Sequence, residues 1–478
     1  MALKTVKQYY QTLRAMNPTA YILGERVQNP SEHPFIKRHC AAIAETYALA
    51  QEPEYRELLV GESRLIQEEV NRFTKLYESK DDLLTKVKML RLLSDKTGSC
   101  YVRCTGMDMM NATFIVTYDM DKKYGTHYHE NFVKYLKYVQ ENDLAVHTGV
   151  TDVKGDRSLS PSQQADPDMY VHVVDKTKEG IVVRGCKAHQ TGSLCVHEAI
   201  ISPTRRLSQS DKDYAVSFAL PIDTKGIIHV YGRGALEDRQ IDGIDIGNVN
   251  YSKFVPLVIF DDVFVPWERV FMCGEYEFAS PVVSLFADYH RHSHGGCKCG
   301  IADVLVGAAA TIAEYNGIAS ASHIRNKLIE MIKTGETMYG CCLAASLEAR
   351  KTDSGVYAVD TALANTSKLY EGKDFLETIR LMMEIAGGLV GSLPSEKDLH
   401  NPEIGHFIEK YLKGAPDIST EDRMRMFRLI EKLGFGSTDV MSHIHGGGSP
   451  EAHKLALWRA TDIEKRKKMA KRLAGIKE

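Results

Sequence analysis

Apolar residues recur three and four positions apart in "HPFIKRHCAAIAETYALAQ", "ESRLIQEEVNRFTKLYESKDDLLTKVKMLRLLSDKTGS" and "HENFVKYLKYVQEND", so the chain from about residue 36 to 145 reads as helices. Between about 150 and 270 the period falls to two, in "MYVHVVDKTKEGIVVRG", "DYAVSFALPI", "GIIHVYG" and "FVPLVIFDDVFVP", with turns such as "TKEG" and "DTKG" between the runs. Helical spacing returns from about 280, in "GIADVLVGAAATIAEYNG", "SHIRNKLIEMIKTGETMYGCCLAASLEAR" and "YEGKDFLETIRLMMEIAGGLV". A glycine-rich stretch, "SHIHGGGSPEAHK", then precedes a last basic helix. The expected fold class is α+β, with an N-terminal helical domain over 1–148, a middle antiparallel β-domain over 149–278 and a C-terminal helical domain over 279–478. Such an order leaves a cleft where three substructures meet, and ligand sites favour such junctions.

With 478 residues, 44% apolar and 26% charged, the chain suits a soluble globular protein of two or three packed substructures. A formal net charge of −3 gives no broad basic footprint, so no nucleic-acid partner is expected. The one basic run, "KRKKMAKR" at 465–472, reads as the solvated face of a helix. The opening "MALKTVKQYYQTLRAMN" lacks a signal peptide's apolar run and no uninterrupted apolar stretch of ~20 residues occurs elsewhere, so a cytoplasmic protein without membrane contact is expected. Ten cysteines are too sparse for a disulfide scaffold, and Cys40, Cys186, Cys195, Cys273, Cys341 and Cys342, which lack ligand-like spacing, read as core. No G-x-G-x-x-G opens a helix after a strand and no G-x-x-x-x-G-K-[ST] is present, so any nucleotide cofactor is held some other way.

Candidate chemistry concentrates in two distant segments. In "SCYVRC", Cys100 and Cys104 stand at i, i+4 and would share one helical face. In "YHRHSHGGCKCG", His290, His294 and Cys297 stand at i, i+4 and i+7, again one face if the helix runs to Gly295. Thiolates with an imidazole suit zinc or an iron–sulfur cluster, and the long separation favours a site bridging domains over a zinc knuckle. Spacing leaves open whether Cys297 or Cys299 completes the set. Where the β-domain begins, "TDVKGDRSLSP" from Thr151 and "KAHQTGSLCVHE" from Lys187 set hydroxyl, amide and cationic donors beside glycines, as recognition of a phosphate or a flavin's polar edge requires.

In these residues the chain resembles the 4-hydroxybutyryl-CoA dehydratases, within the wider family of flavin-dependent 4-hydroxyphenylacetate 3-hydroxylases, over essentially its whole length. The segments that carry the resemblance are "SEHPFIKR", "KVKMLRLLSDKTGSCYVRCTGMD", "TDVKGDR", "VVRGCKAHQTGS", "DKDYAVSFALP", "YHRHSHGGCKCG" and "IHGGGSP", in the family's order. The resemblance implies an acyl-CoA dehydrogenase-like fold, FAD, a [4Fe-4S] cluster, an acyl-CoA substrate and a homotetramer built as a dimer of dimers. It implies Cys100, Cys104, His290 and Cys297 as the cluster's ligands, with Lys298 beside them. Flavin contacts would come from Thr151, Lys154, Gly155, Asp156 and Arg157, from His189, Gln190 and Thr191, and across a subunit boundary from Gly387 and Gly388. The implied reaction is dehydration of 4-hydroxybutyryl-CoA to crotonyl-CoA by a flavin radical route with the cluster as Lewis acid, together with isomerisation of vinylacetyl-CoA.

The pocket departs from that pattern. Val255 and Ser442 stand where the dehydratases carry glutamates, His294 replaces a tyrosine and Val102 a glutamine. His294 is the candidate to compensate in part for the two carboxylates, since an imidazole both accepts and donates near neutrality, while His443 and His445 are further candidates that read first as hydrogen-bonded loop histidines. A relative acting on another acyl-CoA, and a flavin-dependent aromatic monooxygenase, are the competing expectations.

Overall fold

The computed structural model describes residues 3–233 and 243–476. It opens with helix α1 (Val6–Arg14), strands β1 (Thr19–Ile22) and β2 (Glu25–Val27), and helices α2 (Pro34–Gln51) and α3 (Arg56–Leu59). A hairpin of β3 (Val60–Ser63) and β4 (Glu68–Asn71) leads into α4 (Lys80–Thr97), α5 (Arg103–Tyr124) and α6 (Tyr128–Glu141). Strands β5 (Val146–Gly149), β6 (His172–Lys176), β7 (Gly180–Lys187), β8 (Glu198–Ile201), β9 (Val216–Pro221), β10 (Ile227–Val230), β11 (Leu257–Pro266) and β12 (Val270–Cys273) follow. The C-terminal part holds α7 (Ala279–Tyr315), α8 (Ser322–Leu347), α9 (Thr361–Tyr370), a π-turn (Glu371–Phe375) running into α10 (Leu376–Ala386), and α11 (Glu396–Leu399). It continues with α12 (Gly405–Tyr411), α13 (Thr420–Phe435), α14 (Ser437–His445), α15 (Pro450–Ala460) and α16 (Ile463–Leu473).

The strands form a sheet ordered β2-β1-β10-β11-β7-β6 and another ordered β12-β9-β8-β5. They are not wholly antiparallel as expected: β1 pairs parallel with β10, and β5 parallel with β8. Both exceptions involve strands from the N-terminal region, which join the sheets across long crossovers, and parallel pairing needs such connections. Strand β5 spans residue 148, and β1 and β2 extend the larger sheet. The segment "ESRLIQEEV", which reads as helical by spacing, is the β3–β4 hairpin, reversed at Gln67 with φ 57°.

Helix α7 organises the C-terminal part, packing against α4, α5, α8, α9 and α10. By length and composition it is apolar enough to cross a membrane, yet 56% of that stretch is buried inside the fold. It does not end at its glycines; they let its neighbours approach. A Cβ on Gly295 would lie 2.0 Å from Cys342 Sγ of α8, and one on Gly296 or Gly300 would lie 2.6 or 2.4 Å from a backbone oxygen of α4. "HGGCKCG" is therefore the packed middle of a helix.

Several buried histidines make the fold acid-sensitive. Burial, aided by Lys253, lowers His39 to about 3, and burial, aided by His229, lowers His147 to about 3. Burial also lowers His229 to about 4. Each stays neutral in the fold but takes up a proton on unfolding below its ordinary value of 6.5, so stability falls as pH drops from about 6.5 towards 4. Differential scanning calorimetry should give a lower Tm at pH 5 than at pH 7; an unchanged Tm across that interval contradicts this.

Candidate functional site

Cys100 and Cys104 do not share a helical face. Helix α5 starts at Arg103, and the preceding Val102 holds φ 50°, a left-handed conformation that strains a β-branched residue. Gly192 makes room for this turn, since a Cβ there would lie 2.9 Å from the His39 ring and 3.1 Å from Val102 Cγ1. The turn still brings the thiols together. Burial, reinforced by Cys100 and Cys297, pushes the Cys104 thiol well above its ordinary range. Burial pushes Cys297 up to about 12 against the pull of Lys298 beside it, with Cys100 adding to the rise.

The donor atoms of this set do not crowd round one point as a single ion requires. Among the described residues, the one such group within 4.8 Å is Cys299, Asp303 and Glu336. Arg91 already binds those two carboxylates, at 2.8 Å from Asp303 and 2.7 Å from Glu336, so that cluster is a satisfied ion-pair network. Cys299 thus faces this network, whereas Cys297 faces Cys100. One buried and two half-buried thiols, spread wider than a mononuclear site and with lysines nearby to balance thiolate charge, fit a polynuclear cluster. Those lysines are Lys298, which Cys297, Glu371 and Cys100 raise above its ordinary value despite burial, and Lys253, which burial and Lys298 together lower.

His290 lies one turn before His294 on α7, their rings meeting edge to face at 5.0 Å. His290 Nδ1 lies 3.1 Å from Asp108 Oδ2. His294 Nδ1 lies 3.0 Å from Glu371 Oε2, and His443 Nδ1 lies 3.4 Å from Glu371 Oε1. A carboxylate accepts only, so Nδ1 carries the hydrogen in each, and Nε2 of His290 and His294 is left with its lone pair. Burial, then Lys368, His290 and Lys298, push His294 well below its ordinary value, which keeps it neutral.

Glu371 is the residue that sequence reasoning missed. It is 1% exposed and pairs with Lys368 at 2.8 Å. Burial pushes its carboxyl up, but Lys368, His443 and Lys298 outweigh that and hold it ionised. Lys368 donates to the backbone oxygen of His443 at 2.7 Å, and Lys298 to Ser442 Oγ at 3.1 Å. A carboxylate from the π-turn after α9 therefore stands beside Ser442. The available signal was weak, an acid in "LYEGKDF" within an otherwise regular helical run, because side-chain period does not reveal a π-turn; such turns are frequent at functional sites. His443 and His445 lie in α14 rather than in a loop.

Two of the expected flavin segments meet at the end of β7, where Asp152 bridges Lys187. Ala188 donates to Thr151 O at 2.8 Å, and Lys154 and His445 both act on His189, which burial lowers first. His189 holds φ 57°, and Gln190 Oε1 is buried without a hydrogen-bond partner among the described residues. An orphaned acceptor on this loop suits a ligand's N–H. Gln190 also donates to Pro256 O at 2.9 Å, so Val255 stands directly beside the loop. Lys154, Gly155, Asp156 and Arg157 are exposed. A Cβ on Gly387 or Gly388 would meet nothing within 4 Å among the described residues, and both glycines are exposed in the single chain.

The family profile described as 4-hydroxyphenylacetate 3-hydroxylase N terminal matches residues 5–272, and its C-terminal counterpart matches 279–475. The chain is 47% identical to a Clostridium aminobutyricum protein named 4-hydroxybutyryl-CoA dehydratase/vinylacetyl-CoA-Delta-isomerase, covering 99% of this chain and 100% of that one. It is 31% identical to the 4-hydroxyphenylacetate 3-monooxygenase oxygenase component of Thermus thermophilus, over 94% of this chain and 92% of the other. Among solved structures, an oxygen-tolerant archaeal 4-hydroxybutyryl-CoA dehydratase from N. maritimus superposes with a TM-score of 0.97 at 43% identity, covering 100% of this chain and 96% of that one. An FAD complex of a 4-hydroxyphenylacetate 3-monooxygenase oxygenase component gives 0.86 at 27% identity, covering 98% of each chain. A glutaryl-coenzyme A dehydrogenase gives 0.53 at 12% identity, covering 99% of this chain and 95% of the other, a likeness of fold alone.

Proposed function

The chain belongs to the 4-hydroxyphenylacetate 3-hydroxylase family and is an enzyme of the 4-hydroxybutyryl-CoA dehydratase/vinylacetyl-CoA isomerase type, and from that premise we propose that it dehydrates a hydroxyacyl-CoA using FAD and a [4Fe-4S] cluster. The observation that carries the proposal is convergence: thiols from the turn before α5 and from α7 gather beside the buried His294–Glu371 pair. Cys100, Cys104, Cys297 and His290 would hold the cluster, while Thr151 to Arg157 and His189 to Thr191 would hold the flavin. When bound, FAD supplies one-electron chemistry and the cluster supplies a Lewis acid for the departing hydroxyl.

The chain's own residues handle protons and charge. Glu371 fixes His294 with Nε2 bare, so His294 accepts a proton there as general base. Lys298, cationic and tied to Ser442, offers charge to an oxygen of the acyl group. His290 presents Nε2 to the cluster site. Gly446 shapes this wall: a Cβ there would lie 3.0 Å from His294 Nε2. In the proposed homotetramer, a dimer of dimers, Gly387 and Gly388 reach a neighbour's flavin. Trp458 and Leu473, 63% and 82% exposed, suit burial by another copy.

Anaerobic assays with 4-hydroxybutyryl-CoA and with vinylacetyl-CoA should both yield crotonyl-CoA. Hydroxylation of 4-hydroxyphenylacetate with reduced flavin and oxygen, without crotonyl-CoA formation, contradicts the proposal. Val255 and Ser442 favour a second reading, another acyl chain, which turnover of a different hydroxyacyl-CoA alone would establish.

A further inference from the structure

We propose that Asp108 is a positioning residue for the proposed ligand His290, clasping together the two distant halves of the ligand set; this rests on the cluster reading above. Asp108 and Cys104 stand at i, i+4 on α5, so one helix presents a thiol and a carboxylate side by side. Helix α7 faces them with His290, Ser293 and Cys297, at i, i+3 and i+7. Asp108 is fully buried, and its two oxygens do different work. Oδ1 accepts from Lys86 Nζ of α4 and from Tyr77 OH, each at 2.8 Å, which anchors the carboxylate to the helical scaffold. Oδ2 accepts from Ser293 Oγ at 2.7 Å and from His290 Nδ1 at 3.1 Å, both from α7. Lys86 also donates to Tyr289 O at 3.0 Å, pinning the backbone just before His290.

The consequence is a single orientation for the imidazole. A carboxylate at Nδ1 fixes the tautomer that leaves Nε2 to bind metal, the arrangement by which outer partners orient histidine ligands. The ring plane is set by Phe286, stacked at 5.4 Å and 11°, and by His294, edge-on at 79°. A purely structural buried ion pair would need Lys86 alone. Two further donors from the ligand helix on the other oxygen serve the ligand.

The test is Asp108→Asn in the anaerobically purified protein, read by iron per chain and by nitrogen hyperfine coupling in pulsed EPR of the reduced cluster. Against the native chain, iron should fall by about a quarter, one of four ions, with the histidine coupling lost and the circular dichroism spectrum kept. In a His290→Ala background the same change should cost no further iron, whereas independent structural effects would add. Native iron content with unchanged coupling overturns the proposal. Should Asp108→Asn fail to fold, Ser293→Ala removes one donor from Oδ2 and should shift the coupling; an unshifted coupling overturns it. A native chain without iron fails the cluster reading itself, and with it the clasp.

Discussion

Cys297→Ala protein is expected to carry no [4Fe-4S] cluster and to form no crotonyl-CoA, while Cys299→Ala keeps both. The two thiols stand two residues apart on α7, yet the helix turns them to opposite surroundings. Cys297 lies near Cys100, Cys104 and the lysines Lys298 and Lys368, whereas Cys299 faces the Arg91, Asp303 and Glu336 network. Removing Cys297 leaves only two thiolates, one fewer than remain when His290 is lost, and thiolates are what hold such a cluster. Removing Cys299 leaves a small cavity in the core and a modest loss of stability. Iron and acid-labile sulfide analysis, with circular dichroism as the folding control, checks the pair. Equal iron in both variants would contradict the assignment.

Substitution of Glu371 separates proton handling from cofactor binding. Glu371→Gln should keep flavin and iron but lower kcat by ~10²–10⁴-fold, the range for loss of a positioned acid or base. The amide has a donor where the carboxylate has none, so it no longer enforces hydrogen on His294 Nδ1, and the base loses its tautomer. Glu371→Ala should add a stability loss of ~3–5 kcal/mol, because Lys368, also fully buried, loses its carboxylate partner and keeps only backbone oxygens such as that of His443. Steady-state kinetics and calorimetry distinguish the variants. Wild-type kcat in Glu371→Gln would exclude the residue from the chemistry.

Much of this arrangement is legible in the sequence because it follows period. The long β-period runs become β6, β7, β9, β10 and β11, and the helical spacing becomes α2, α4 and α6 to α8. What spacing hides is backbone that breaks period. Val102 at φ 50° moves Cys100 off the helical face that i, i+4 predicts, and the π-turn places Glu371 at the site from within an apparently regular helix. The glycines of "HGGCKCG" leave open in the sequence how far the helix runs, but they are tolerances for close helix packing, which only the neighbours α4 and α8 reveal. Short strands such as β5 and β8, buried at nearly every position, show no alternation to read. A buried carboxylate does stand beside Ser442, but it comes from another element, where spacing gives no sign of it.

The measurement that tests the central claim most directly is iron and acid-labile sulfide per chain in the anaerobically purified native protein, with Mössbauer spectra of the same sample. The account predicts about four of each, with one iron site distinct from the rest because a histidine rather than a thiolate binds it. A chain that carries no iron and sulfide, or a single zinc ion in their place, would contradict it.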